Sequence, residues 1–104
     1  MAGKKKSAKL RPPERFTVEA AAEVLEAGAA RIAAGKTLRI DLSDVVTIDT
    51  AALQCLVVLR TAALERGSGC AILGAPAAVR ECAGMLGLGR LLEFEPPARL
   101  GAES

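Results

Sequence analysis

An aspartate and a threonine, Asp49 and Thr50, stand directly before a long apolar stretch. A carboxylate and a hydroxyl placed there have an ordinary use, which is to cap the helix that follows. They also have a chemical one. A hydroxyl at a helix N-terminus stands in solvent beside unpaired backbone N–H groups. A phosphate added to it would face the positive end of the helix dipole. The fold could accept that group, while its charge of about −2 would transform any partner surface docked there. Thr50 is therefore a candidate switch.

Other chemistries find less support. Asp41, Asp44 and Asp49 could hold a cation if they clustered, but two of them read more simply as a strand-end residue and a cap. The chain has no histidine, and its three cysteines, Cys55, Cys70 and Cys82, are far apart with no C-x-x-C pair. A zinc site is not expected, and the usual general base is missing. No Walker loop and no G-x-G-x-x-G occurs. Gly84, Gly87 and Gly89 are spaced like helix punctuation. The expectation is a non-catalytic chain with no metal and no cofactor.

The elements that must position Asp49 and Thr50 are legible on both sides. Upstream, Leu38, Ile40 and Leu42 alternate with Arg39 and Asp41, which predicts a strand over Leu38–Leu42. Ser43–Asp44 is a polar turn and Val45–Ile48 a second apolar run. Downstream, Ala52, Leu53, Leu56, Val57, Leu59, Ala63 and Leu64 predict a helix from Thr50 or Ala51 to Arg66, ended by Gly67-Ser68-Gly69. Before the strand, Val18, Ala21, Ala22, Leu25, Ala29, Ile32 and Ala33 predict a helix buried along that face. Thr17 is expected as its cap and Gly35 as its left-handed stop. Gly28 offers a place for close packing. After the central helix come a short buried strand, Cys70–Leu73, a helix over Ala77–Leu86 and a last strand or extended segment over Leu91–Glu95. Alternation of this kind predicts an α/β fold. Its form is a small, mostly parallel sheet with helices packed mainly on one face, in βαβαβα order.

The chain has 104 residues, enough for one small domain, and half of it is apolar with only Phe16 and Phe94 as aromatics. Lys4, Lys5, Lys6, Lys9 and Arg11 supply five of the 14 basic residues, and without them the acidic residues outnumber the basic ones. Residues 1–13 are read as a disordered basic tail with room for a short strand near Leu10, 14–98 as a single domain and 99–104 as a loose C-terminus. With no aromatics interleaved to stack on bases, the tail reads as solvated and not as a nucleic-acid or anionic-membrane contact. No stretch approaches the ~20 apolar residues of a membrane span, and the N-terminus lacks the apolar core of a signal peptide. A cytoplasmic protein is expected, with Cys55 and Cys70 as small buried hydrophobes. A homodimer through a helix or the front sheet edge is compatible with the sequence.

The central stretch, DLSDVVTIDTAALQCLVVL, resembles the signature of the STAS domain of bacterial anti-sigma-factor antagonists. Asp41-Leu42-Ser43 matches its first half, Ile48-Asp49-Thr50 its second, and Leu53 the helix leucine. The downstream GSGCAILGAPAAVRECAGMLGLGRLLEF resembles the family's strand, helix and closing segment, so the likeness runs from Val18 to Phe94. It implies a signalling or adaptor module, with Thr50 as phosphoacceptor for a kinase that is also the anti-sigma factor. It also implies a partner-contact patch of Asp49, Thr50, Ala51 and Leu53, flanked by the loop carrying Ser43, Asp44 and Thr47. Ala51 and Ala52 stand where common members carry a small hydroxylated residue and glycine. The sequence between Met1 and Thr17 offers no clear counterpart of the family's two N-terminal strands. Both features resemble divergent members beside chemotaxis kinases, and the small subunits that bind the ATPase of a lipid-transport ABC system.

Overall fold

A computed structural model describes residues 6–95. Its elements are β1 (Ser7–Leu10), β2 (Arg15–Phe16), α1 (Val18–Ala33), β3 (Thr37–Asp41), β4 (Thr47–Ile48), α2 (Thr50–Glu65), β5 (Cys70–Leu73), α3 (Ala77–Met85) and α4 (Gly89–Leu92). The main sheet has the order β1-β3-β5, and both pairings are parallel. A second, two-residue parallel pair joins β2 to β4. This is the expected α/β architecture with a small parallel sheet.

Strand alternation decides which side of the sheet is covered. Leu38, Ile40 and Leu42 on and just beyond β3, with Ile72 on β5, are fully buried against the helices. Arg39, between two of them, is exposed on the opposite face. The core closes over the strands with Val24 and Ile32 from α1, Leu53, Leu56, Leu59 and Ala63 from α2, and Val79 and Ala83 from α3. Helices α1 and α2 pack on each other at Gly28, where a Cβ would lie 2.7 Å from Leu59 Cδ2. The expected close approach is real, and glycine permits it. Gly35, at φ +79°, supplies the expected left-handed turn after α1.

Three expectations need correction. Residues 7–13 are ordered in the fold, and the possible short strand near Leu10 is β1. β1 lies along β3, and Thr37 N–H donates to the Lys6 carbonyl at 2.8 Å. The strand is four residues long, carries only two apolar side chains and pairs with a segment thirty residues away. Local periodicity alone could not fix it. Second, Leu91 and Leu92 belong to a helical turn, which Glu93 ends in a left-handed conformation at φ 46°. Only then does the chain extend, with Glu95 N–H donating to the Ile72 carbonyl at 2.8 Å. Third, the buried face of α1 is rotated from the expected one. Val24, Gly28 and Ile32 point inward, whereas Val18, Ala22, Ala29 and Ala33 are exposed. An alanine-rich helix has small apolar residues on every side, so its spacing fits more than one face. The rest of the expected tail, residues 1–5, and the expected loose C-terminus lie outside the described residues. Among the described residues, no helix is long and apolar enough to cross a membrane.

Candidate docking site

The Asp49 carboxylate sits where two helices begin. Its Oδ1 accepts the backbone N–H of Ala52 at 2.9 Å, the ordinary cap of α2. Its Oδ2 accepts the backbone N–H of Val18, also at 2.9 Å, at the first residue of α1. One side chain thus closes the N-termini of both helices, and both positive dipole ends converge on one negative charge. Thr17 occupies the cap position of α1, but its side chain makes no capping bond. The expected role of Thr17 passes to a residue 32 positions later in the chain.

The segment leading into Asp49 is held from the N-terminal side. Val46 and Thr47 N–H groups both donate to the Glu14 carbonyl, at 2.8 and 3.0 Å. Arg15 then pairs with Thr47 and Phe16 with Ile48. Phe16 is fully buried, which anchors this strap in the core. The front of the chain therefore does supply two strands, and the second one fixes the site.

Thr50 is the first residue of α2 and is exposed. Helical geometry gives the earliest amides of α2 no carbonyl within the helix; Asp49 takes that of Ala52 and leaves the tip beside Thr50 to solvent. Thr47 is exposed and Ala51 half-buried next to it. Leu53 is completely buried, so it belongs to the core and cannot meet a partner. The same spacing that aligns it with a family motif aligns it with the inward face of the helix. Sequence reasoning missed two residues at the rim, Val18 and Val46, whose exposures are 62% and 73%. In the sequence Val18 fits the spacing of a buried helix face and Val46 lies within the apolar run Val45–Ile48. Large apolar side chains standing in water at a helix tip are a signal visible only in the fold. Gln54, one turn after Thr50, is exposed as well.

Ser43 and Asp44 lie at the other end of the loop, on a separate network. Asp41 Oδ1 accepts both the Ser43 hydroxyl at 2.6 Å and the Ser43 N–H at 3.0 Å. Arg11 bonds Asp41 Oδ2 at 3.2 Å and reaches Asp44 at 3.6 Å. The Ser43 hydrogen bonds, with help from Arg11, hold the Asp41 carboxyl below its ordinary value of 3.8. Its stabilising contribution is complete above that value and is lost as the pH falls through the lower, folded one. Gly74 makes room for this network, because a Cβ there would lie 2.8 Å from Asp41 Oδ1. Asp41, Asp44 and Asp49 serve two different networks, and among the described residues no three His, Cys, Asp or Glu side chains converge as metal ligands. Cys55 is buried, its thiol donates towards the Ala21 carbonyl at 3.6 Å, and burial pushes its pKa up to about 11.

The arrangement offers an exposed hydroxyl at the tip of α2, with Val18 exposed at the start of α1 and Val46 exposed on the segment that leads to α2. The family model described as "Mlab, STAS domain" matches residues 2–93. A search of curated proteins returns no match. Among solved structures, the one described as "NMR Structure of the protein TM1081" superposes with a TM-score of 0.72. It is 18% identical, and the match covers 92% of this chain and 78% of that one. At that identity the likeness concerns the fold.

Proposed function

The chain belongs to the STAS domain family, and we propose that it is a bacterial phosphorylation-switched adaptor that docks a partner protein at the junction of α1 and α2. STAS domains are in general non-catalytic modules of the anti-sigma-factor-antagonist type that bind proteins. The partner in this reading is a serine/threonine kinase that doubles as an anti-sigma factor, or a chemotaxis-type kinase. The single observation that carries the reading is the exposure of Thr50 at the first position of α2.

In this mechanism Thr47, Thr50 and the edge of Ala51 face the partner, with Val18 and Val46 as apolar contacts. Ser43 and Asp44 flank the patch, and Asp49 acts from beneath by holding both helix tips in place. Phosphorylation moves the γ-phosphoryl group from ATP to the Thr50 hydroxyl oxygen and releases ADP. The product carries roughly two negative charges at pH 7, next to the Asp49 carboxylate. The helix tip tolerates the phosphate, but a partner surface built for a neutral hydroxyl does not. Complex formation is lost without unfolding the module.

The test is intact-mass analysis after incubation with the cognate kinase and ATP. One phosphate is expected on the wild-type chain and none on Thr50→Ala. No uptake, or uptake that survives the substitution, contradicts the switch. The two alanines after Thr50 favour a second reading, a constitutive binding subunit for the ATPase of a lipid-transport ABC system, in which the threonine is a contact and is never modified. Co-purification of such an ATPase with an unmodified chain would select it.

A further inference from the structure

The uncovered face of the sheet carries a charge pattern that the docking site does not explain. Lys9 on β1 and Arg39 on β3 are register partners in the parallel ladder. Both are exposed, and both lie on the side opposite the buried Leu38 and Ile40. Like charges placed side by side across a ladder destabilise it, and neither residue has an acidic partner among the described residues. Lys6 and Lys36, at the rim where β1 and β3 start, are exposed and likewise unpaired. In the sequence, Lys4 and Lys5 directly precede this strand. Of the acidic residues on the same face, Asp41 is bound by Arg11 and Ser43, and Glu95 lines the cleft on the β5 side that Arg39 also borders. On the far side of the molecule, α1 presents exposed Glu19, Glu23 and Glu26 to solvent. The domain is therefore polarised, with its open sheet face positive and its outer helix face negative.

We propose that this open sheet face docks on an anionic lipid bilayer. Charge complementarity selects an anionic partner, and two features select a lipid surface. On the β5 side of Arg39 the face dips into a cleft lined by Asp41, Ala71, Leu73 and Glu95, so the docking surface is the β1 side with Lys9. Its cations are mainly lysines, which act as hydrated point charges suited to diffuse surface charge, whereas bidentate phosphate recognition calls for arginine. No aromatic ring is available to stack on bases: Phe16 is fully buried, and Phe94 lies half-buried under Arg80. Clusters of four to eight basic residues bind anionic leaflets, each contributing roughly a threefold to tenfold gain in affinity. The acidic α1 face points away from such a surface. The Thr50 junction follows the opposite end of β3 from Lys6 and Lys36, so a protein partner can dock while the sheet lies on lipid.

The experiment is co-sedimentation of the full chain with phosphatidylcholine vesicles, and with vesicles that also contain phosphatidylglycerol. Binding is expected only to the anionic vesicles. It should weaken at least about tenfold in Lys9→Glu/Arg39→Glu, and should vanish between about 0.1 M and about 1 M salt as the Debye length falls from about 10 Å to about 3 Å. Equal partition to both vesicles, no partition to either, or an unchanged partition of a folded double variant overturns the proposal. Should the double variant lose its helical circular dichroism, Lys36→Glu, which lies off the strands, replaces it, with a weakening of about threefold expected and no change overturning the proposal. Tighter binding to a duplex DNA than to anionic vesicles also overturns it, in favour of a nucleic-acid surface.

Discussion

At the scale of single residues, the most informative side chain is Asp49. It aligns with a motif and so invites a role in contacting a partner, yet its two oxygens are both used inside the fold. Losing an ordinary N-cap costs about 1 kcal/mol, and here one substitution removes two. Asp49→Ala should lower the free energy of unfolding by about 1–3 kcal/mol. Asp49→Asn, which keeps one carbonyl acceptor, should lose roughly half as much. Urea denaturation monitored by circular dichroism measures both, and an alanine variant as stable as the wild type would contradict the double cap. Thr50 differs from its neighbour in having no structural duty that the fold reveals, which is what a modifiable residue requires. Leu53 shows the reverse. Its position in a motif and its position in the core are the same fact, and only burial tells them apart.

At the scale of elements, the site exists because α1 and α2 begin at one point and stay packed along their lengths. Gly28 sets that packing. A larger side chain there meets Leu59, which is 1% exposed and has nowhere to go. Gly28→Val should cost about 1–3 kcal/mol through overpacking, and part of the cost should disappear in a Leu59→Ala background. Thermal unfolding of the two single variants and the double reads the coupling, and strict additivity would show that the two residues do not meet. Elements of this kind were legible wherever the signal was local. The strand at Cys70–Leu73, the two long helices and the glycine stops follow from spacing and from backbone preference. The junction was legible only in part. The cap of α2 lies within three residues of its donor, whereas the cap of α1 comes from the other side of the junction. β1 was legible only as a possible strand near Leu10 and β2 not at all, since a four-residue and a two-residue strand acquire their identity from distant partners. The exposed Val18 and Val46 were hidden by composition, because an apolar residue in an apolar run reads as core.

At the scale of the whole molecule, the N-terminal segment changes meaning. Read as a sequence it is a basic tail. In the fold it adds an edge strand, straps the loop that carries Thr47 and places Arg11 on Asp41. Lys6 and Lys9, which the sequence assigned to solvent, lie on an exposed sheet face of the fold, while the proposed protein-docking tip stays at the other end of β3. The domain thus offers two separate faces, one built from helix tips and one from a sheet. The central claim concerns the first. It is tested most directly by purifying the native partner with the wild-type chain, then titrating it by calorimetry against wild type, Thr50→Ala and Thr50→Glu. The alanine variant should bind within about threefold of wild type, and the glutamate variant at least about tenfold more weakly, a difference of about 1.4 kcal/mol or more. Three indistinguishable affinities would mean that the partner does not touch the tip of α2, and would contradict the account.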